Sequence, residues 1–295
     1  MVHRILIAVI LFPLALSVRA QRDDFAVAYE LYQAGDLAGA REAIDRAAGQ
    51  ADLSVDPGVW LLRGFVYKDL FKGVAWGATA DSLRDVALTS LGICLGRDSS
   101  GTYTKDARQA YDYLAKTYYN DAAKALNDGD ADRATMLYMK HKETSTFLEP
   151  DRDFKARDAE FHNAMGTVFT KRYNQDLQDT TWFEKAVRAY EQVLEEDKDN
   201  YGANYNLATL YYNRGVYNIR RITPENDIPS IQDIQRVSRD LFSRALPYML
   251  KAYEMNPKRK ETLLGLEGIY YSLQDNEKSE EYRRQYEALE PKDDQ

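Results

Sequence analysis

The sequence predicts an all-α solenoid of about six helix-turn-helix units with insertions, and three observations carry that expectation. Pro257 in "KAYEMNPKRK" and Pro291 in "YEALEPKDDQ" stand 34 residues apart, and each closes an apolar-periodic stretch, as in a repeat whose second helix stops at a proline. The segments "EKAVRAYEQVLEEDKDN" (184–200) and "SRALPYMLKAYEMNP" (243–257) share one layout, in which Ala186, Tyr190 and Val193 match Ala245, Met249 and Ala252. Offsets of four and three place each trio on a single helix face. Third, "WLLRGFVYKDL" (60–70), "NAMGTVFTKRY" (163–173) and "NYNLATLYYNRG" (204–215) each put a small residue (Gly64, Gly166, Ala208) three positions before an aromatic one (Tyr67, Phe169, Tyr211). A small residue lets two helices approach closely while the ring fills the space beside it.

In chain order, residues 1–20 come first. "MVHRILIAVILFPLALSVRAQ" has a short basic start (His3, Arg4), an apolar stretch from Ile5 to Leu16 and the small-residue site Val18-Arg19-Ala20. This reads as a secretory signal peptide, because the apolar run is too short for a membrane span and is broken by Pro13. The chain is therefore expected to be exported, as a periplasmic or envelope protein with no transmembrane segment after cleavage. No cysteine follows the apolar run, so no lipid anchor is expected.

Residues 21–97 hold the first units. "AYELYQAGDLAGAREAIDRA" (28–47) turns at Gly35-Asp36, and Ala28, Ala40, Ile44 and Ala47 in it are among the residues that carry the family resemblance given below. "FKGVAWGATADS" (71–82) lengthens a turn. Residues 98–158 are less regular: "GTYTKDARQAYDYLAKTYYNDAAKALNDG" reads as one long helix, and "NDGDADRATMLYMKH" (127–141) repeats the Gly-Asp turn before Ala134 and Tyr138. Residues 159–295 hold the remaining units, with a second lengthened turn at "NQDLQDTTW" (174–182) and an insertion over 216–240. That insertion opens with "VYNIRRITPENDIPS" and feeds a long helix, expected to start at Ser230 with Asp233 three positions on. Pro247 inside it cannot donate to the carbonyl of Ser243, which predicts a kink. The last unit ends with Tyr282, Arg283 and Arg284, expected to solvate its outer face.

On these residues the chain resembles the tetratricopeptide repeat (TPR) family, over most of 22–291, and is similar to exported bacterial members of it. The resemblance implies a right-handed α-solenoid whose first helices line a concave groove holding a protein or peptide partner. The groove positions it implies are Phe25, Tyr29 and Tyr32; Leu61, Phe65 and Lys68; Asn163, Thr167, Thr170 and Lys171; Tyr205, Thr209, Tyr212 and Asn213; and Leu264, Gly268 and Tyr271. Leu207, Ala208 and Tyr211 are expected in the core. A grip on a partner's C-terminal carboxylate, known in the family, would find Lys171 and Asn206 but Glu261 where a base is wanted. Some outer-membrane sugar-binding proteins resemble this repeat, so an alternative is a glycan- or small-ligand-binding component of an envelope uptake complex, with Trp76 and Trp182 as stacking platforms.

Chemistry finds little footing. The formal net charge is −8, and removing residues 1–20 would take away Arg4 and Arg19 but no acid, so nucleic acid is not the expected partner. His141 and His162 each stand without a second ligand at metal-binding spacing, and are expected to be solvated or helix-capping. "DGDAD" (128–132) has Arg133 and Met139 where a calcium loop needs glycine and glutamate. Cys94 is the only cysteine, so no internal disulfide staples the fold, and its apolar surroundings in "LTSLGICLGRD" suit a buried thiol. No catalytic residue, cofactor or metal is therefore expected. The oligomeric state is not legible.

Overall fold

The computed structural model describes residues 23–289, so the expected signal peptide lies outside the described residues. Those residues form twelve helices and no strand, arranged as six helix-turn-helix pairs: α1 (Asp24–Gln33) with α2 (Leu37–Gly49), α3 (Pro57–Lys72) with α4 (Ala78–Arg97), α5 (Thr104–Asn127) with α6 (Ala131–Leu148), α7 (Lys155–Gln175) with α8 (Thr180–Glu196), α9 (Tyr201–Arg220) with α10 (Ile228–Met255), and α11 (Lys260–Ser272) with α12 (Asn276–Glu287). The fold is the all-α helical repeat that the sequence predicts. The chain divides into two compact units, with the boundary in the sequence of α5 between Ala115 and Lys116. In the first, α1 packs on α2, α2 on α3 and α3 on α4; in the second, α7 through α12 pack successively.

Aspartate starts most of these helices. Asp23, Asp36, Asp56, Asp130, Asp179, Asp227 and Asp275 each cap a helix by accepting a backbone N–H from its first turn, and Asn200 does the same for α9. Each such cap stabilises its helix by about 1 kcal/mol. The α1–α2 and α5–α6 turns place Gly35 and Gly129 at φ of +81° and +80°, a left-handed conformation that glycine adopts without steric cost. The α11–α12 turn puts Gln274 in that conformation, at φ 66°.

Two expectations about the insertion need correcting. The helix α10 is capped by Asp227, whose carboxylate accepts the Ser230 N–H at 2.8 Å, and not by Ser230. Proline lacks the N–H that the first turn leaves unused, so Pro229 fits inside that turn and the helix begins ahead of it. The insertion is also more helical at its start than expected, since α9 runs on through Val216–Arg220, whereas the long helix expected after it is present as α10, which continues through Pro247 to 28 residues.

Within each unit the small-residue positions receive a large side chain from a neighbouring helix. A Cβ on Gly64 would meet the Leu91 side chain at 2.6 Å, one on Gly166 the Tyr190 ring at 2.5 Å, and one on Gly215 the Phe242 ring at 2.5 Å. Ala186, Tyr190, Val193, Ala245, Met249 and Ala252, aligned in the sequence, are all buried, as are Leu207, Ala208 and Tyr211. Hydroxyls and charges are tied into this packing. The Asp45 carboxylate of α2 accepts Arg63 Nε at 2.8 Å and the Tyr67 hydroxyl at 2.7 Å, and Arg63 also donates to Ser90 Oγ of α4 at 2.8 Å. Cys94 is fully buried, and burial pushes its thiol up to about 11. Two other expectations fail for the same reason, that aromatic surface drew residues inward. Tyr282 is buried, stacked on Tyr270 at 5.6 Å, so it does not solvate the outer face. His141 is buried beside Tyr119, Tyr138 and Phe154, neither solvated nor a cap.

The α4–α5 connection is organised by Asp98, which is buried and accepts the Tyr103 N–H and Thr104 hydroxyl on one oxygen, at 2.8 Å each, and the Ser100 hydroxyl at 2.9 Å on the other. Burial pushes this carboxyl up, but those hydrogen bonds outweigh it and hold it below the ordinary 3.8. A carboxyl depressed in the folded state contributes stability that is present above its unfolded value and disappears as pH falls through the folded one. Asp98→Asn is thus expected to flatten the loss of stability between pH 4 and the onset of acid unfolding, measured by urea melts at stepped pH. A variant as acid-sensitive as the parent would contradict it.

Candidate functional site

In the first unit, α3 and α5 enclose a hollow of about 410 Å³ lined by Phe65, Lys68, Lys72, Asp106, Gln109 and Tyr113. The ammonium of Lys68 sits 4.3 Å from the centre of the Phe65 ring, and that of Lys72 is 5.3 Å from the Tyr113 ring, an ordinary cation–π spacing. Burial lowers Lys68 below the usual lysine range. Tyr32 donates its hydroxyl to Asp69 at 2.6 Å, so it ties α1 to α3. Burial, then this carboxylate, raises its pKa above that of an ordinary tyrosine. Tyr29 is 53% exposed, and Phe25 packs partly buried against the core.

In the second unit the implied groove positions divide. Asn163 donates to Asn200 Oδ1 at 3.2 Å, and Thr167 returns its hydroxyl to the Asn163 carbonyl at 2.9 Å. Thr170 does the same to the Gly166 carbonyl at 2.8 Å, while Lys171 and Asn213 are exposed. Tyr205 stacks on Tyr201 at 6.0 Å and Tyr212 packs on Phe242 at 5.7 Å, with its hydroxyl against Gly268. Thr209 is half-buried. Tyr205 and Tyr212 therefore spend much of their ring surface inside the chain, whereas Tyr271 is 70% exposed and Leu264 46%.

Tyr271 borders two hollows. One, of about 430 Å³, lies between α11 and α12 beside Leu264, Glu267, Gly268 and Arg283. The other, of about 1000 Å³, is framed by Val216, Ile219 and Arg220 of α9, Arg236 and Arg239 of α10 and Tyr271. The three arginines are absent from the groove positions that the resemblance implies. Arg236 and Arg239, three apart on one helix, were the available signal, but Glu225, Asp227, Asp233 and Asp240 in the same insertion cancel their charge in any sequence window.

The two tryptophans of the alternative reading both lie in lengthened turns or at their ends. Trp182 lies 5.8 Å from Phe169, with Lys185 Nζ at 4.7 Å and the Arg172 guanidinium at 5.3 Å from its ring. Trp182 is itself half-buried. Trp76 is half-buried in the α3–α4 turn. Among the described residues no group of histidine, cysteine and acidic side chains could hold a metal ion, and no helix is long and apolar enough to cross a membrane.

No family model matches the chain, and no curated protein matches it. Among solved structures, the chain is similar to a monomeric mutant of IFIT1 with m7Gppp-AAAA, at 12% identity and a TM-score of 0.34, over 90% of this chain and 59% of that one. A monomeric IFIT1 mutant with Gppp-AAAA matches over the same shares at 12% identity and a TM-score of 0.33. The complex of the TPR2AB domain of yeast Sti1 with pHSP90 matches at 13% identity and a TM-score of 0.24, covering 90% of this chain and 96% of that one. The chain thus spans about 59% of the length of the IFIT1 chains it matches. Three of its own helix pairs seat a large side chain on a small residue, at Gly64, Gly166 and Gly215, as the helix-turn-helix repeat of the sequence requires.

Proposed function

We propose that this protein is an exported scaffold that holds a protein or peptide partner against the exposed faces of its first helices, with no chemistry of its own. The observation that carries the reading is the set of solvent-facing tyrosines at the hollows. Tyr113 is 42% exposed at the first-unit hollow and Tyr271 is 70% exposed at both second-unit hollows, each beside charged side chains. Tyrosine gives a binding surface a large rigid ring and a hydroxyl at little entropic cost. Export rests on the apolar stretch and small-residue site of residues 1–20.

The test is crosslinking of the tagged full chain in intact cells of its source organism, with recovered proteins identified by mass spectrometry. One dominant envelope protein is expected, with recovery reduced at least tenfold by combining Tyr29→Ala, Tyr113→Ala and Tyr271→Ala, because a central aromatic contact is worth about 2 kcal/mol. Recovery that is equal from parent and variant, or absent from the parent, would reject the reading.

A further inference from the structure

The hollow built by the insertion has a composition unlike the rest of the molecule. In a chain of net charge −8, its wall presents Arg220, Arg236 and Arg239 and no carboxylate, over an apolar floor of Val216, Ile219 and buried Phe242. Two of the three cations have no strong claim on them. Arg236 shares an exposed pair with Asp233 at 3.3 Å, the kind of contact that an incoming anion replaces at little cost. Among the described residues Arg220 has no ion pair.

The third, Arg239, is positioned by Gln274, whose Oε1 accepts its guanidinium at 3.2 Å. Gln274 is also the one described non-glycine residue with a positive φ, 66°. The equivalent places in the α1–α2 and α5–α6 turns, immediately before the aspartate cap, hold Gly35 and Gly129. A side chain thus stands where glycine would relieve the backbone, and residues held in this conformation cluster at functional sites. A neutral amide orients Arg239 without cancelling its charge, which leaves the guanidinium fork directed to carry a bidentate carboxylate.

We propose that this hollow is a binding site for an acidic peptide segment, whose carboxylates pair with Arg220, Arg236 and Arg239 while an aromatic or aliphatic side chain between them rests on Val216, Ile219 and Tyr271. It lies on the insertion and, apart from Tyr271, uses none of the groove positions of the first helices. A peptide fits better than a nucleic acid because three cations on a strongly acidic chain do not make a basic footprint long enough to track a phosphate backbone. The inference deepens the scaffold reading and rests on it for the nature of the partner.

The probe is a fluorescein-labelled peptide of alternating glutamate and phenylalanine, titrated with the full chain by fluorescence anisotropy at low and high salt, beside a single-stranded oligonucleotide of equal charge. Saturable peptide binding is expected, weakened at least tenfold by Arg220→Glu with Arg239→Glu and severalfold by Gln274→Gly. Gln274→Gly is at the same time expected to raise Tm, a combination that a merely structural role for Gln274 would not produce. All three residues are exposed, so these variants should fold. Undiminished binding in the arginine variant, no binding by the parent, or tighter binding of the oligonucleotide lost in that same variant would overturn the proposal. If the peptide fails to bind while crosslinking still recovers a tyrosine-dependent partner, only this inference falls. If the peptide binds as expected and crosslinking recovers nothing, only the scaffold reading falls.

Discussion

Arg84→Ala is expected to destabilise the protein by about 3 kcal/mol, the lower end of the cost of breaking a buried ion pair by removing one partner. The Arg84 side chain is wholly inaccessible, donates to Asp81 one turn away in α4, and lies 5.1 Å from the centre of the Phe71 ring. Asp81 is 19% exposed, so water also reaches its carboxylate and limits the loss. The alanine also deletes the stem that packs on Phe71. Arg84→Met restores that stem without the charge and is expected to recover part of the stability, which separates packing from electrostatics. Urea unfolding followed by circular dichroism measures both, and a loss under about 1 kcal/mol for the alanine variant would show that the pair is not structural.

Gly166→Ala should change sign relative to intuition about helices. Replacing a helical glycine by alanine ordinarily stabilises by about 1 kcal/mol. Here the new methyl would stand 2.5–2.8 Å from three atoms of the Tyr190 ring, which is 1% exposed and cannot swing aside. Overpacking of that kind costs about 1–3 kcal/mol, so net destabilisation is expected. Adding Tyr190→Leu to Gly166→Ala should cost less than the sum of the two single changes, because the smaller side chain vacates the space the methyl needs. A more stable Gly166→Ala protein would mean that α7 and α8 separate easily, against the close approach described for this pair.

Much of the fold was legible because its determinants are local or periodic. Gly64, Gly166, Tyr190 and Met249 occupy the helical positions their spacing assigns, and Gly35-Asp36 and Gly129-Asp130 turn the chain where glycine precedes an aspartate cap. Ser230 misled because Pro229 looks like a boundary although its missing N–H makes it compatible with a first turn. Tyr282 and His141 misled because polarity at one end of a ring says nothing about the aromatic neighbours that bury the other. The candidate site was less legible still. Tyr29 and Tyr271 are exposed, but Tyr32 and Tyr212 have partners on other helices that are distant in sequence, and Tyr205 stacks on Tyr201 within its own helix. The arginine-lined hollow joins Arg220, Arg239 and Gln274 from three elements, a grouping that only the packing of α9, α10 and α11 creates.

The single thiol at Cys94 turns the chain into its own reporter. Because Cys94 is the only cysteine, fully buried in α4, and held as an unreactive neutral thiol by its surroundings, a thiol-specific reagent can modify it only through an opening of the first unit. Labelling rate against denaturant then reads the local opening free energy of residues 23–115 alone, while circular dichroism reads the whole chain. In a repeat protein, where each pair is stabilised chiefly by its immediate neighbours, the gap between those two curves is a direct measure of how far unfolding in one half is felt by the other.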